Sequence, residues 1–135
     1  MEGAQMKQNI FKFSAILLIA LLFGCEKATE PKTVSITDAE KAIYSNVLNN
    51  NDSGKVVYEL QNIMKAGSVI NCRQLDSTDF TVHSDSWFFF IDDAPQMYWV
   101  HPCRYVFVDA STAKLTIYNW TYRPTCLGEM KNVTF

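Results

Sequence analysis

Two stretches of this chain are apolar at nearly every position, and they limit the possible folds more than any other feature. Ser86–Asp92 reads SWFFFID, and residues 105–109 read YVFVD. Successive side chains of a strand point to opposite faces of a sheet. Trp87, Phe89 and Ile91 therefore share one face, and Phe88 and Phe90 the other. Strands that are apolar on both faces either lie inside a sheet covered on both sides or carry an exposed binding surface. Residues 114–122 continue the split. Val106, Val108, Leu115 and Ile117 are aliphatic and suit a core, whereas Tyr105, Phe107, Thr116, Tyr118, Trp120 and Tyr122 form a mostly aromatic second face. Core burial is the plainer expectation, and Tyr118, Trp120 and Tyr122 are the residues to watch for an aromatic binding face.

Residues 55–60, 67–75 and 80–83 also read as strands, and residues 110–113 read as the turn of a hairpin. One helix precedes them. Thr37 and Glu40 have capping-box spacing, and Ala39, Ala42, Ile43 and Val47 recur at helical spacing, with Tyr44 and Leu48 widening the stripe. The turn formers of residues 49–54 (NNNDSG) end it. One helix followed by about six strands predicts an α+β domain: an N-terminal helix packed on a curved, mainly antiparallel sheet or small barrel.

The N-terminus is a different material. Lys7 and Lys12 precede the apolar run of residues 13–24 (FSAILLIALLFG). That run is too short for the ~20 residues of a membrane-spanning helix, but it fits the apolar core of about 7–15 residues in a secretory signal. Only Ser14 interrupts it, so it has no amphipathic face to lay on a core. It ends in Leu22-Phe23-Gly24-Cys25, which resembles the lipobox of bacterial lipoproteins, although Phe23 is larger than the residue usual there. The resemblance implies removal of residues 1–24, lipidation of Cys25, and an exported protein anchored by lipid in the cell envelope, with the outer membrane as the expected site. Two or more acyl chains anchor stably where one is marginal. Residues 25–34 then form a polar tether and residues 35–135 a single domain. Losing Lys7, Lys12 and Glu2 with the signal leaves a net charge of -3, and no basic stripe offers itself to phosphates. This excludes a dedicated nucleic-acid binder.

With Cys25 lipidated, Cys72, Cys103 and Cys126 remain. An odd count in an exported protein implies one bridge and one thiol, or an intermolecular bond. Cys103–Cys126 is the preferred pair because the hairpin brings its flanks together, with Cys72–Cys103 still open. A thiol active site would pair Cys103 with His101, but positions i and i+2 of a strand lie about 6–7 Å apart, and no orienting third group is evident. His83 and His101 lack close-spaced metal-ligand partners. Asp92-Asp93 suits a turn cap; calcium would require about six to eight oxygens. No catalytic residue, metal or cofactor is expected, and the chain reads as a binding protein rather than an enzyme. Asp76-Ser77-Thr78 resembles a short O-glycosylation motif of exported Bacteroides-type proteins.

Trp87-Phe88-Phe89-Phe90-Ile91-Asp92-Asp93 and His101-Pro102-Cys103-Arg104-Tyr105-Val106-Phe107-Val108 resemble a module of secreted Bacteroides-type proteins, including ones in which it precedes a cysteine-peptidase domain. The likeness covers residues 85–109 well and the rest of the domain loosely. In size, architecture and setting the chain is also similar to the staphostatin-like inhibitors of streptopain-type cysteine proteases. In that family a segment near the C-terminus lies in the protease cleft, with a glycine before the would-be scissile bond that takes positive φ at no steric cost. The resemblance implies Leu127, Gly128, Glu129 and Met130 as the protease-binding segment, and a co-secreted papain-like protease as partner. The alternative is a surface lipoprotein that binds glycan or another envelope protein through Tyr118, Trp120 and Tyr122.

Overall fold

The computed structural model describes residues 32–72 and 79–135. The expected signal peptide, Cys25, most of the expected tether and Asp76-Ser77-Thr78 lie outside these residues.

The first element among the described residues is the helix α1, Ile36–Ala42, and its cap sits earlier than the capping-box pattern predicts. Ser35 Oγ accepts from the Asp38 amide at 3.1 Å and donates to Asp38 Oδ2 at 2.8 Å, so Ser35 and Asp38 do the work expected of Thr37 and Glu40. The helix widens into a π-turn over Ile43–Val47, closed by the Leu48 amide on the Ile43 carbonyl at 3.0 Å. Asn49 and Asn50 then take φ of 53° and 58°. Asparagine tolerates this left-handed region, and the helix stops there as expected.

The strands are β1 (Val56–Glu59), β2 (Val69–Ile70), β3 (Phe80–Thr81), β4 (Ser86–Asp92), β5 (Cys103–Asp109), β6 (Leu115–Trp120) and β7 (Lys131–Val133). Five form an antiparallel sheet in the order β6-β5-β4-β1-β7, while β2 and β3 pair separately. The architecture is α+β, and the sheet is open at β6 and β7 rather than closed into a barrel. A barrel needs the outer strands to meet, and here the three-residue β7 offers too little ladder. The hairpin of β5 and β6 has the expected turn. Asp109 Oδ1 accepts from the Ser111 and Thr112 amides at 2.9 and 2.8 Å. The Ser84 hydroxyl and those amides hold its carboxyl down to about 2.

Each face of the main sheet has its own core. Ala39, Ile43, Val47 and Leu48 of the helical segment lie on Val57, Phe89, Ile91, Val106 and Val108. The opposite face buries Phe88, Phe90, Tyr105 and Phe107 beneath Ile70, Val82 and Phe80 of the small sheet region. The split of side chains read from strand alternation is thus a split between two cores. Ile117 departs from it: on the outer strand, beyond the reach of the helix, it is 43% exposed.

Two buried polar atoms lack a hydrogen-bond partner among the described residues, Glu59 Oε2 and Trp120 Nε1. Glu59 on β1 is 1% exposed; its Oε1 accepts from Gln61 Nε2 at 2.7 Å, and its Oε2 has no hydrogen-bond partner. Burial first, and the Glu40 carboxyl second, raise its pKa. A carboxyl raised on folding favours the folded state below its unfolded pKa, and that advantage fades as pH climbs through the folded value. Thermal melts at about pH 4 and about pH 7 should show Glu59→Gln gaining on the parent at the higher pH, with a flatter dependence overall.

Candidate functional site

Between β4 and β5 the chain makes a projecting tip. Pro95 begins a turn closed by the Met97 amide on the Ala94 carbonyl at 2.9 Å, a position where proline's fixed φ is favourable. Then come Met97, Tyr98, Trp99 and Val100, exposed by 56, 97, 85 and 59%. Four consecutive exposed apolar residues are unusual for a surface that faces only water.

The base of the tip is held by charge. His101 is buried, with Nε2 at 2.8 Å from Asp92 Oδ1 and Nδ1 at 2.6 Å from the Trp99 carbonyl. Both ring nitrogens are thus engaged, Nε2 with a carboxylate and Nδ1 with a main-chain carbonyl. The ring fastens the backbone of the tip to the end of β4. Asp92 Oδ2 also accepts from an Arg123 guanidinium nitrogen at 3.1 Å, and Asp92 Oδ1 caps the turn through the Ala94 amide at 3.2 Å. Asp93 takes a two-pronged contact from Arg104 at 2.8 and 2.6 Å, and Arg104 reaches the Val47 carbonyl at 3.0 Å. Asp92-Asp93 is therefore a turn cap, as its position suggests, and also the hub that joins tip, helix and C-terminal segment.

Beside the tip lies a cleft of about 210 Å³, with Tyr98, Trp99 and His101 on one side and Thr121, Tyr122 and Arg123 on the other. Of the expected aromatic face only Tyr122 reaches it. Tyr118 and Trp120 are half-buried, with ring centroids 5.1 and 5.3 Å from that of Phe80. They roof the aromatic core rather than forming an open platform.

The cysteines correct the expected bridges. Cys72, Cys103 and Cys126 are free thiols, so neither Cys103–Cys126 nor Cys72–Cys103 is joined. Each of the two buried sulfurs faces a local partner instead. Cys72 Sγ lies 3.3 Å from the Tyr105 hydroxyl, and Cys103 Sγ donates to the Tyr122 carbonyl at 3.4 Å. Burial pushes the Cys103 thiol up to about 12 and raises Cys72 and Cys126 as well. His101 has both nitrogens engaged elsewhere, so Cys103 has no base there, as strand spacing implies.

The tail segment is not extended. Thr125–Glu129 is a 3-10 turn, the Met130 amide donates to the Leu127 carbonyl at 3.2 Å, and Leu127 and Met130 pack against the aromatic core. The glycines at positive φ are Gly54 and Gly67, not Gly128. Leu127, Gly128, Glu129 and Met130 thus lack the cleft-filling geometry that the staphostatin resemblance implies. The tip went unread in the sequence, although Met97-Tyr98-Trp99-Val100 between Pro95 and Pro102 carried a signal. An apolar run flanked by prolines cannot be a buried central strand.

No known protein family, curated protein or solved structure matches the chain, and so none points to an enzyme. Among the described residues, no helix is long and apolar enough to cross a membrane, and no group of three or more His, Cys, Asp or Glu is placed to hold a metal ion.

Proposed function

We propose that this chain is a lipid-anchored envelope protein that binds and inhibits a co-secreted papain-like (streptopain-type) cysteine protease. Met97-Tyr98-Trp99-Val100 is the part that enters the protease. The observation carrying this reading is the exposure of those four side chains on a base fixed by Asp92, His101 and Arg104. Aromatic anchors dominate interface energies, and a tip already held in place loses less entropy on binding.

The first described residues of the domain join it far from the tip. The Val34 amide donates to the Ala110 carbonyl at 2.7 Å, and Trp87 Nε1 donates to the Val34 carbonyl at 2.9 Å. Ala110 follows the last residue of β5, whereas the tip precedes its first. Val34 and the tip thus sit at opposite ends of a seven-residue strand, which spans roughly 23 Å at ~3.3 Å per residue.

Assays of the full chain in detergent against a panel of streptopain-type proteases test the reading. Replacing Tyr98 and Trp99 together by alanine is expected to weaken inhibition about 1000-fold, two hot spots' worth, with circular dichroism unchanged. A Cβ built on Gly128 meets nothing within 4 Å, so Gly128→Ala should fold and inhibit as the parent does. A panel wholly indifferent to the parent protein ends the protease reading.

A further inference from the structure

The backbone groups that β6 turns outward follow from its pairing. The Asp109 amide donates to the Lys114 carbonyl at 2.9 Å, which makes 109 and 114 a hydrogen-bonded pair. Bonded and non-bonded pairs alternate along an antiparallel ladder. The register sets Val108 opposite Leu115, Val106 opposite Ile117 and Arg104 opposite Asn119, and these are the non-bonded pairs. The N–H and C=O of Leu115, Ile117 and Asn119 therefore point away from β5. Among the described residues, no strand pairs with that outer side of the sheet.

Natural sheets blunt such edges with charge, proline, bulges or brevity. The opposite edge follows the rule: β7 is three residues long and opens with Lys131. β6 does not. It runs six residues, LTIYNW, with no charge and no proline.

Past its C-terminal end the chain enters the cleft through Thr121, Tyr122 and Arg123. There Asp92 meets both His101 and the Arg123 guanidinium. Asp93 and Arg104 cancel each other. Arg123 meets Asp92 through a single guanidinium nitrogen and is half-exposed, so in the cleft beside Trp99 and Tyr122 it can take a second carboxylate.

We infer that the β6 edge and this cleft are one continuous peptide-binding site. An extended segment of a protein partner adds to the sheet as a strand on Leu115, Ile117 and Asn119, and an acidic side chain at its end enters the cleft against Arg123. The inference rests on the reading of the chain as a protein-binding domain, and it names the kind of segment bound. Main-chain pairing supplies affinity in this mode, and the pocket at the end supplies specificity.

The test needs no protease, so it can fail or succeed apart from inhibition. The full chain in detergent micelles is used to select from a random peptide library of about a dozen residues, long enough to line a strand and reach beyond it. Enriched peptides are expected to carry Asp or Glu toward one end of an alternating apolar and polar stretch. A synthesised winner should slow amide exchange at Leu115, Ile117 and Asn119. It should lose about tenfold or more in affinity when its alternate amides are N-methylated, or when Arg123→Gln is introduced. Trp99→Ala, at a site that supports no core, should weaken it several-fold. The inference is overturned by a selection with no acidic enrichment, by affinity indifferent to N-methylation, or by a concentration-dependent dimer that protects the same amides without peptide.

Discussion

Asp92→Ala is expected to lower stability by about 3–5 kcal/mol, the usual result of removing one partner from a buried ion pair. Asp92 is 2% exposed and serves His101, Arg123 and the Ala94 amide at once. Arg123 is half-exposed and can turn to water when its partner goes. His101, at 6% exposure, cannot, and its Nε2 is left buried without a partner. The loss therefore falls mainly on the histidine, and the tip it fastens should loosen as well. On a domain of this size the melting temperature should drop by roughly 10 °C or more. Asp92→Asn, which keeps the shape and one acceptor, should fall between. Chemical denaturation of the three proteins, with amide exchange followed at Trp99 and Val100, checks both halves. Parent-like stability in Asp92→Ala would show that the hub contributes little.

Phe89→Ala and Phe88→Ala should each destabilise by about 3–5 kcal/mol, for different reasons. Phe89 lies under the helix among Ile43, Val106 and Val108. Phe88 lies on the other face, stacked 5.1 Å from Phe107 and edge-on 5.5 Å from Tyr105. The two are neighbours in sequence, yet the sheet stands between their side chains. Their milder leucine versions should therefore add within about 0.5 kcal/mol in a double-mutant cycle, as independent sites do. The Phe89 change should reduce helical ellipticity, whereas the Phe88 change should alter the near-ultraviolet signal of the tyrosines and tryptophans. Strong coupling between them would mean that the faces are one core.

Much of this fold is legible because alternation is a local property. SWFFFID announces a strand with two apolar faces, and β4 occupies the same residues, Ser86–Asp92. The helix, its asparagine-rich end and the hairpin of β5 and β6 follow from equally local patterns. What could not be read depends on contacts distant in sequence. β7 is three residues, KNV, with no alternation worth the name, and it exists because Val57, Tyr58 and Glu59 offer it an edge. The aromatic face of β6 looked available because nothing local shows that Phe80 lies over it. The role of His101 was hidden for the same reason: its partners are a carboxylate nine residues back and a main-chain carbonyl. Resemblance to inhibitors placed the contact in the tail, where the 3-10 turn at Thr125–Glu129 ties those side chains into packing instead.

The pairing of β7 with β1 has a consequence for biogenesis. The first strand of the main sheet waits for the last one to be synthesised before its outer edge is filled. Contacts so far apart in sequence form slowly and close only after a large loop has been ordered. A nascent chain emerging from the ribosome thus lacks one border of its sheet until Lys131–Val133 arrive. Until then the outer N–H and C=O groups of Val56–Glu59 stand unpaired, an edge open to any other strand they meet.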